Sequence, residues 1–268
     1  MWLGIVAAPI VLCLIVIPLL WPLSTSLKEP NDILRPTATF IPSPVTLENY
    51  ERLIDSGIGQ YLLNSALVTA GAILIATVVG VIGGYVLSRY DFRGAAIVIS
   101  FLVICLAVPI ATLAVPIQSL LAPLGLMNQL WVVALIYAGI GAPFVTWLLK
   151  LHFDKIPLEL ERAAYMDGYS VISTLVRVLL PGTRPAILTG AVFVFLTAWN
   201  DLIIASTLLQ RPEDRTIQVA LSFYQGTLGR EWGPLMAGIV VATVPVVVLF
   251  LMFRRLLVQG LAEGGVKG

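Results

Sequence analysis

Charge is what this sequence has least of. Of its 268 residues only 12% are charged, while 59% are hydrophobic. An ordinary soluble domain carries about 25% charged residues. Half that supply cannot cover a water-facing surface of this size, which excludes a soluble globule and points to a polytopic membrane protein. A net charge of +1 leaves no basic footprint for nucleic acid. Histidine is nearly absent. The one copy, His152, sits at the end of an apolar run and reads as a structural interfacial residue. The two cysteines, Cys13 and Cys105, both lie inside apolar runs. They read as small buried hydrophobes, and neither a metal set nor a disulfide framework can be assembled from them. None of the four lysines (Lys28, Lys150, Lys155, Lys267) follows a glycine, so the chain cannot build a phosphate-binding P-loop. With no catalytic constellation either, the chain is not expected to be an enzyme. Any uphill movement it supports must draw on an ion gradient or on another polypeptide.

Long apolar runs are what the sequence does have. A membrane-spanning helix needs about 20 mainly apolar residues. Six runs qualify, at about 2–23, 61–87, 95–120, 131–149, 186–208 and 234–253. None alternates with the period of two that a membrane β-barrel requires. The expected fold is therefore all-α, a single transmembrane domain over 1–268 with six transmembrane helices. Prolines within the runs (Pro9, Pro18, Pro109, Pro116, Pro143, Pro245) are expected to kink them. The first run lacks a charged leader and is longer than a signal-peptide core, so it reads as a retained span.

Basic residues orient the bundle. With six spans both termini share one side, which holds Arg89, Arg93, Lys150, Lys155, Arg162, Arg177, Arg184, Arg254, Arg255 and Lys267. The other side holds Lys28, Arg35, Arg52, Arg211, Arg215 and Arg230. Ten against six places both termini, the stretch 150–184 and the tail 256–268 in the cytoplasm. The loop 28–60 and the stretch 210–233 then lie outside. They are either plain solvated loops or a docking surface for an extracytoplasmic partner.

One acid falls within a run. Asp201, in Ala198–Leu202 ("AWNDL"), is expected in the outer half of the fifth span. Trp199, Asn200 and Asp201 together have the makings of a carbohydrate site, an aromatic face beside an amide and a carboxylate. They fit an interhelical hydrogen bond equally well. A single acid with no basic residue at its depth argues against an ion-coupled secondary carrier. Gly80 and Gly84 share a small-xxx-small spacing and predict close helix packing.

The stretch 150–184 breaks the apolar pattern. Pro157 suits a first helical turn, and Glu159 and Glu161 favour the start of a helix over 158–166. Asp167-Gly168 reads as its stop, and Ser170 as the cap of a second short helix. Pro181 is expected to end that second helix. Ala163 and Ala164 are expected at an exposed bend, where small side chains let a partner approach. The alternatives from the residues alone are a helix offered to a partner's groove or an amphipathic connector lying on the membrane.

These residues resemble the "EAA" loop of ABC-importer permeases: E-A-A, three residues, Gly, nine residues, I-x-L-P. Here Ala163-Ala164 are followed by three residues and Gly168, then nine residues, Val178 and Leu180-Pro181. The Glu position is Arg162. An acidic contact then falls to Glu161 or Glu159, or the contact is of another kind. "TLENY" (Thr46–Tyr50), "NSALV" (Asn64–Val68), "AWNDL" and "GLAEGGVKG" (Gly260–Gly268) are similar to carbohydrate-uptake permeases of the maltose-system second-permease kind. The resemblance implies a heterodimer with a second permease, two ATPase subunits that bind ATP and Mg, a solute-binding protein, and no cofactor in this chain. It assigns ATPase contact to Glu159, Glu161, Arg162, Ala163, Ala164, Met166, Asp167, Gly168 and Pro181, and to the tail residues Gly264, Gly265 and Lys267. Asn64, Trp199, Asn200 and Asp201 would line the substrate pathway. Similar permeases handle disaccharides, oligosaccharides, amino sugars and glycerol-3-phosphate, in the bacterial cytoplasmic membrane. The rival readings are an ion-coupled carrier or channel acting alone, and a membrane scaffold that transports nothing.

Overall fold

The computed structural model describes residues 20–34, 39–224 and 231–264, with side chains through Phe253. Every regular element among them is helical. The helices are α1 (20–26), α2 (Pro30–Ile33), α3 (Glu48–Asp55), α4 (Ile58–Arg89), α5 (Ala95–Ala107), α6 (Ile110–Leu121), α7 (Leu130–Phe153), α8 (Leu158–Met166), α9 (Val171–Thr174), α10 (Leu180–Asn200), α11 (Ile203–Leu208), α12 (Ile217–Phe223) and α13 (Trp232–Gly264). A π turn, Leu175–Leu179, joins α9 to α10 without a break.

Four continuous helices are long and apolar enough to cross a membrane: Ile58–Arg89, Leu130–Phe153, Val171–Asn200 and Trp232–Phe253. They cover the expected second, fourth and sixth runs and most of the fifth. The expected first run lies outside the described residues except for its last turn, so the six-span count is not reached from the described helices alone.

The third run is not a kinked helix but a broken one. α5 and the helix after it meet at 100°. Val108 is extended (ψ 121°) ahead of Pro109, as the clash of a proline ring with the preceding residue demands. The fifth run also departs from expectation at both ends. Its helix starts at Val171, because Pro181 does not stop it. The π turn ahead of Pro181 pairs the Leu180 N–H with the Leu175 carbonyl. That shift to a wider hydrogen-bond register takes the strain of a ring that otherwise clashes one turn back. At the far end the helix stops at Asn200, and Asp201 is extended (ψ 131°). Asp201 therefore lies in a break between α10 and α11 rather than inside a span.

The chain divides into two compact units. The larger is built on α7, flanked by α4 and α10. Its core contains Val68, Ala72, Tyr137, Val145, Leu149, Phe153, Leu179 and Val194. Glycines set the approach, as the Gly80/Gly84 spacing predicts. A Cβ on Gly80 would lie 2.5 Å from Val145 Cγ1, and one on Gly84 2.9 Å from the backbone nitrogen of Lys150. Gly141 of α7 receives Val194 of α10 in the same way.

The smaller unit holds α1–α3, α12 and most of α13. "TLENY" is its clasp. The Asn49 amide donates to the carbonyls of Ser26 (3.0 Å) and Lys28 (2.7 Å), and Tyr50 Oη pairs with Ser26 Oγ at 2.8 Å. The Thr46 N–H donates to the Leu27 carbonyl.

Candidate functional site: the elbow and the break at Asp201

α8 begins after Pro157 and ends in a Schellman motif. The Gly168 N–H donates to the Tyr165 carbonyl and the Tyr169 N–H to the Ala164 carbonyl, both at 3.0 Å. Gly168 has φ +85°, a conformation that costs a residue with a Cβ about 1–2 kcal/mol. The Ser170 hydroxyl then accepts from the Ser173 N–H and starts α9. The expected helix, tight turn and capped second helix are all present, but the second helix runs on into α10.

The helical period sorts the expected contact residues into two faces. Glu159, Arg162, Ala163, Met166, Asp167 and Gly168 are exposed, as is Pro181 in α10. Met166 is 88% exposed, and Leu160 and Ile172 stand out with it. Glu161 and Ala164, three residues apart, face inward. The platform of two exposed alanines is therefore Ala163 alone.

Glu161 is not free to meet a partner. Its residue is 4% exposed. Arg89 Nε donates to Oε1, and Tyr85 Oη donates to Oε2 at 3.2 Å. Arg89 Nη2 also donates to the Ile156 carbonyl at 3.1 Å. Both partner side chains of the ion pair are 6% exposed. Removing one of two buried, paired charges strands the other, at a cost of about 3–5 kcal/mol. Next to this cluster Lys150 Nζ meets Asp154 Oδ2 at 2.6 Å. Burial pulls the Asp154 pKa up, but hydrogen bonds from Lys150 and Ser88 and the charges of Lys150 and Arg89 hold it below the ordinary aspartate value. His152 Nδ1 pairs with the Leu148 carbonyl of its own helix, in keeping with a structural role.

The four expected pathway residues are not brought together on one surface. Asn64 is buried and donates to the Glu213 carbonyl at 2.9 Å. Trp199 is buried and stacks on Phe195, ring centroids 5.4 Å apart. Asn200 is exposed, its amide bonded to the Leu196 carbonyl. Asp201 Oδ2 accepts from Tyr137 Oη (2.7 Å) and from the backbone N–H groups of Ile204 (2.9 Å) and Ala205 (3.1 Å). It caps α11 and ties the break to α7, which is the interhelical hydrogen bond weighed against a carbohydrate site.

A cleft of about 630 Å³ opens elsewhere in the larger unit. Its walls are apolar (Leu67, Gly71, Leu130), and its polar rim is Gln129, Arg211 and Asp214, with Trp131 beside them. Arg211 Nε meets Asp214 Oδ2 at 2.7 Å, and its backbone N–H donates to Asn128 Oδ1. These residues escape a reading of the sequence because their distance along the chain, more than 80 positions from Asn128 to Arg211, carries no local signal. Of the expected tail contacts, the α13 backbone continues to Gly264, while Gly265 and Lys267 lie outside the described residues.

The sequence profile described as "Binding-protein-dependent transport system inner membrane component" matches residues 76–263. This chain belongs to that family. The family component is 34% identical to the probable ABC transporter permease protein YurM of Bacillus subtilis, over 94% of this chain and 83% of that one. It is 32% identical to the sulfoquinovosyl glycerol transport system permease protein SmoH of Agrobacterium fabrum, covering 98% and 93%. The trehalose/maltose transport system permease protein MalG of Thermococcus litoralis is 29% identical, covering 98% and 96%. A chain of a bacterial ABC transporter that imports the acidic polysaccharide alginate superposes with a TM-score of 0.81 over 94% of each chain. At 20% identity that likeness is one of fold. The family component is thus a multi-pass inner-membrane protein and a transport permease subunit. Membership implies ATPase and solute-binding partners.

Proposed function

We propose that this permease forms a heterodimer with a second permease and imports a sugar by alternating access, driven by two ATPase subunits that bind ATP and Mg. The observation that carries this reading is the elbow: a capped helix and a left-handed Gly168 turn that hold out Leu160, Ala163, Met166 and Ile172. An exposed apolar patch rimmed by Glu159 and Arg162 is what a partner's groove would cover. In this reading the elbow and both termini face the cytoplasm, Gly264, Gly265 and Lys267 reach toward the ATPase pair, and Asp167, Gly168 and Pro181 shape the docked surface. Arg162 stands outward where an acid was expected, so the rim contact there is to an acidic or carbonyl group of the ATPase. Nucleotide binding closes the ATPase pair, and its preference for one state enters this chain through the elbow.

Sugar as the substrate class rests on the named relatives, whose cargoes are trehalose or maltose and sulfoquinovosyl glycerol. Within this chain the cleft offers the better carbohydrate contact. Trp131 supplies an aromatic face, and Gln129, Arg211 and Asp214 supply hydroxyl partners. Asn200 is the exposed member of the four expected pathway residues, while Asn64, Trp199 and Asp201 hold the helices that shape the path.

Affinity purification of the tagged chain from membranes is expected to bring an ATPase subunit with it. A chain that purifies alone and still transports would overturn the reading in favour of a free-standing carrier. Trp131→Ala is expected to raise the KM of sugar uptake without changing ATP hydrolysis in its absence. Unchanged uptake kinetics would return Trp131 to the role of an interfacial anchor.

A further inference from the structure

The elbow is joined covalently to two spans, α7 through 154–157 and α10 through α9. Nothing in the chain path ties it to α4, whose last turn lies 72 positions before Glu161. Yet that turn grips it. Arg89 reaches the carboxylate of Glu161 inside α8 and, with its other arm, the Ile156 carbonyl just before α8. Tyr85, one turn back, takes the second carboxylate oxygen. Arg89 Nη1 also donates to Ser88 Oγ at 3.0 Å, which fixes the fork within its own helix. The connector before α8 and the first half of α8 are thus both held by one helix.

The kind of contact matters. Apolar side chains can slide past one another by small steps, whereas charge-assisted hydrogen bonds to a planar guanidinium fix both distance and direction. Buried ion pairs serve best as devices that set register. α4 is also pressed along its length against α7, where Gly80 and Gly84 admit Val145 and the backbone at Lys150. A rotation delivered to the elbow therefore has a stiff route into α4 at its end and along its side.

We infer that the Arg89–Glu161 pair is a positioning device that makes α4 move as one body with the elbow during transport, so that three spans and not two are driven. The inference rests on the elbow being the ATPase contact. It assigns Glu161, which lies beside the expected acidic position, to work inside the chain rather than across an interface.

The test uses the complete importer in lipid vesicles, with spin labels at Asp91, just past α4, and Leu158, at the start of α8. Both positions are exposed. The distance between them is expected to be the same without nucleotide and with ATP plus vanadate, within the roughly 1–2 Å of ordinary helix shifts. In R89Q/E161Q the distribution is expected to broaden and to become nucleotide-dependent while ATP hydrolysis persists. Arg89→Lys keeps the charge but loses the second arm, and it should fall between the two. A wild-type distance that changes by several times that range on trapping nucleotide would overturn the inference, and so would a double variant indistinguishable from wild type. The wild-type measurement decides by itself where the double variant does not assemble. A wild-type chain that purifies without an ATPase would remove the functional reading and this inference together. A co-purifying ATPase with a nucleotide-dependent wild-type distance would remove the inference alone.

Discussion

Individual residues in this chain matter through what they hold. Asp201 is the plainest case. Its carboxylate supports two backbone N–H groups at the start of α11 and the Tyr137 hydroxyl. Asp201→Ala removes a cap worth about 0.5–2 kcal/mol and leaves Tyr137 without that partner. A lower melting temperature of the purified protein in detergent is expected, with Asp201→Asn close to wild type because the amide oxygen still accepts. Equal losses for both variants would show that the negative charge itself is needed. Asp154 gives a pH prediction. Its pKa is held down in the fold, so the Lys150 contact stabilises above the unfolded value of about 4 and is lost only as pH falls below it. A contact already lost by pH 6, followed by carboxyl NMR shifts, would contradict this. The sequence shows that Asp201 needs an explanation, but Tyr137 is 64 positions away and nothing local names it as the partner. The same holds for Arg89 and Glu161.

At the scale of elements, periodicity and spacing are the legible part. The Ala163–Pro181 spacing locates the elbow, and Asp167-Gly168 and Ser170 locate its turn and cap. Prolines are harder to read because their effect depends on neighbours. Pro109 breaks the third run outright behind an extended Val108, whereas Pro181 is absorbed by a π turn. Single-residue properties do not distinguish these two outcomes. Glycines can be sorted by what faces them. Gly84→Ala would bring a methyl to 2.9 Å from the Lys150 backbone nitrogen, and backbone cannot swing aside. Overpacking of this kind costs about 1–3 kcal/mol. Gly139, on the exposed face of α7, has nothing within 4 Å of where an alanine methyl would stand. Gly139→Ala should be neutral or stabilising by up to about 1 kcal/mol from helix propensity. Thermal unfolding of the two variants side by side should separate them, and similar shifts would mean that the α4–α7 contact is looser than the structure shows.

The whole molecule is legible in outline: its lack of charge and its apolar runs mark an all-α membrane protein, and the resemblance carried by the Ala163–Pro181 spacing marks a permease. Which helices hold the elbow, and where a sugar could rest, are not, because both depend on contacts between distant segments. In the proposed mechanism energy enters the permease at the elbow. Gly168→Asp strains a left-handed turn and adds charge to the apolar patch, so it should abolish uptake while leaving membrane insertion intact. The most direct measurement is a cross-link. With Cys13 and Cys105 replaced, Met166→Cys in membranes that also contain the ATPase should join this chain to the ATPase subunit on addition of a short thiol-to-amine cross-linker, which bonds the new thiol to a lysine amine of the partner. A cysteine at exposed Leu74 of α4 should not. Failure of Met166→Cys to cross-link in an importer that still hydrolyses ATP and transports would contradict the claim that the ATPase holds the elbow.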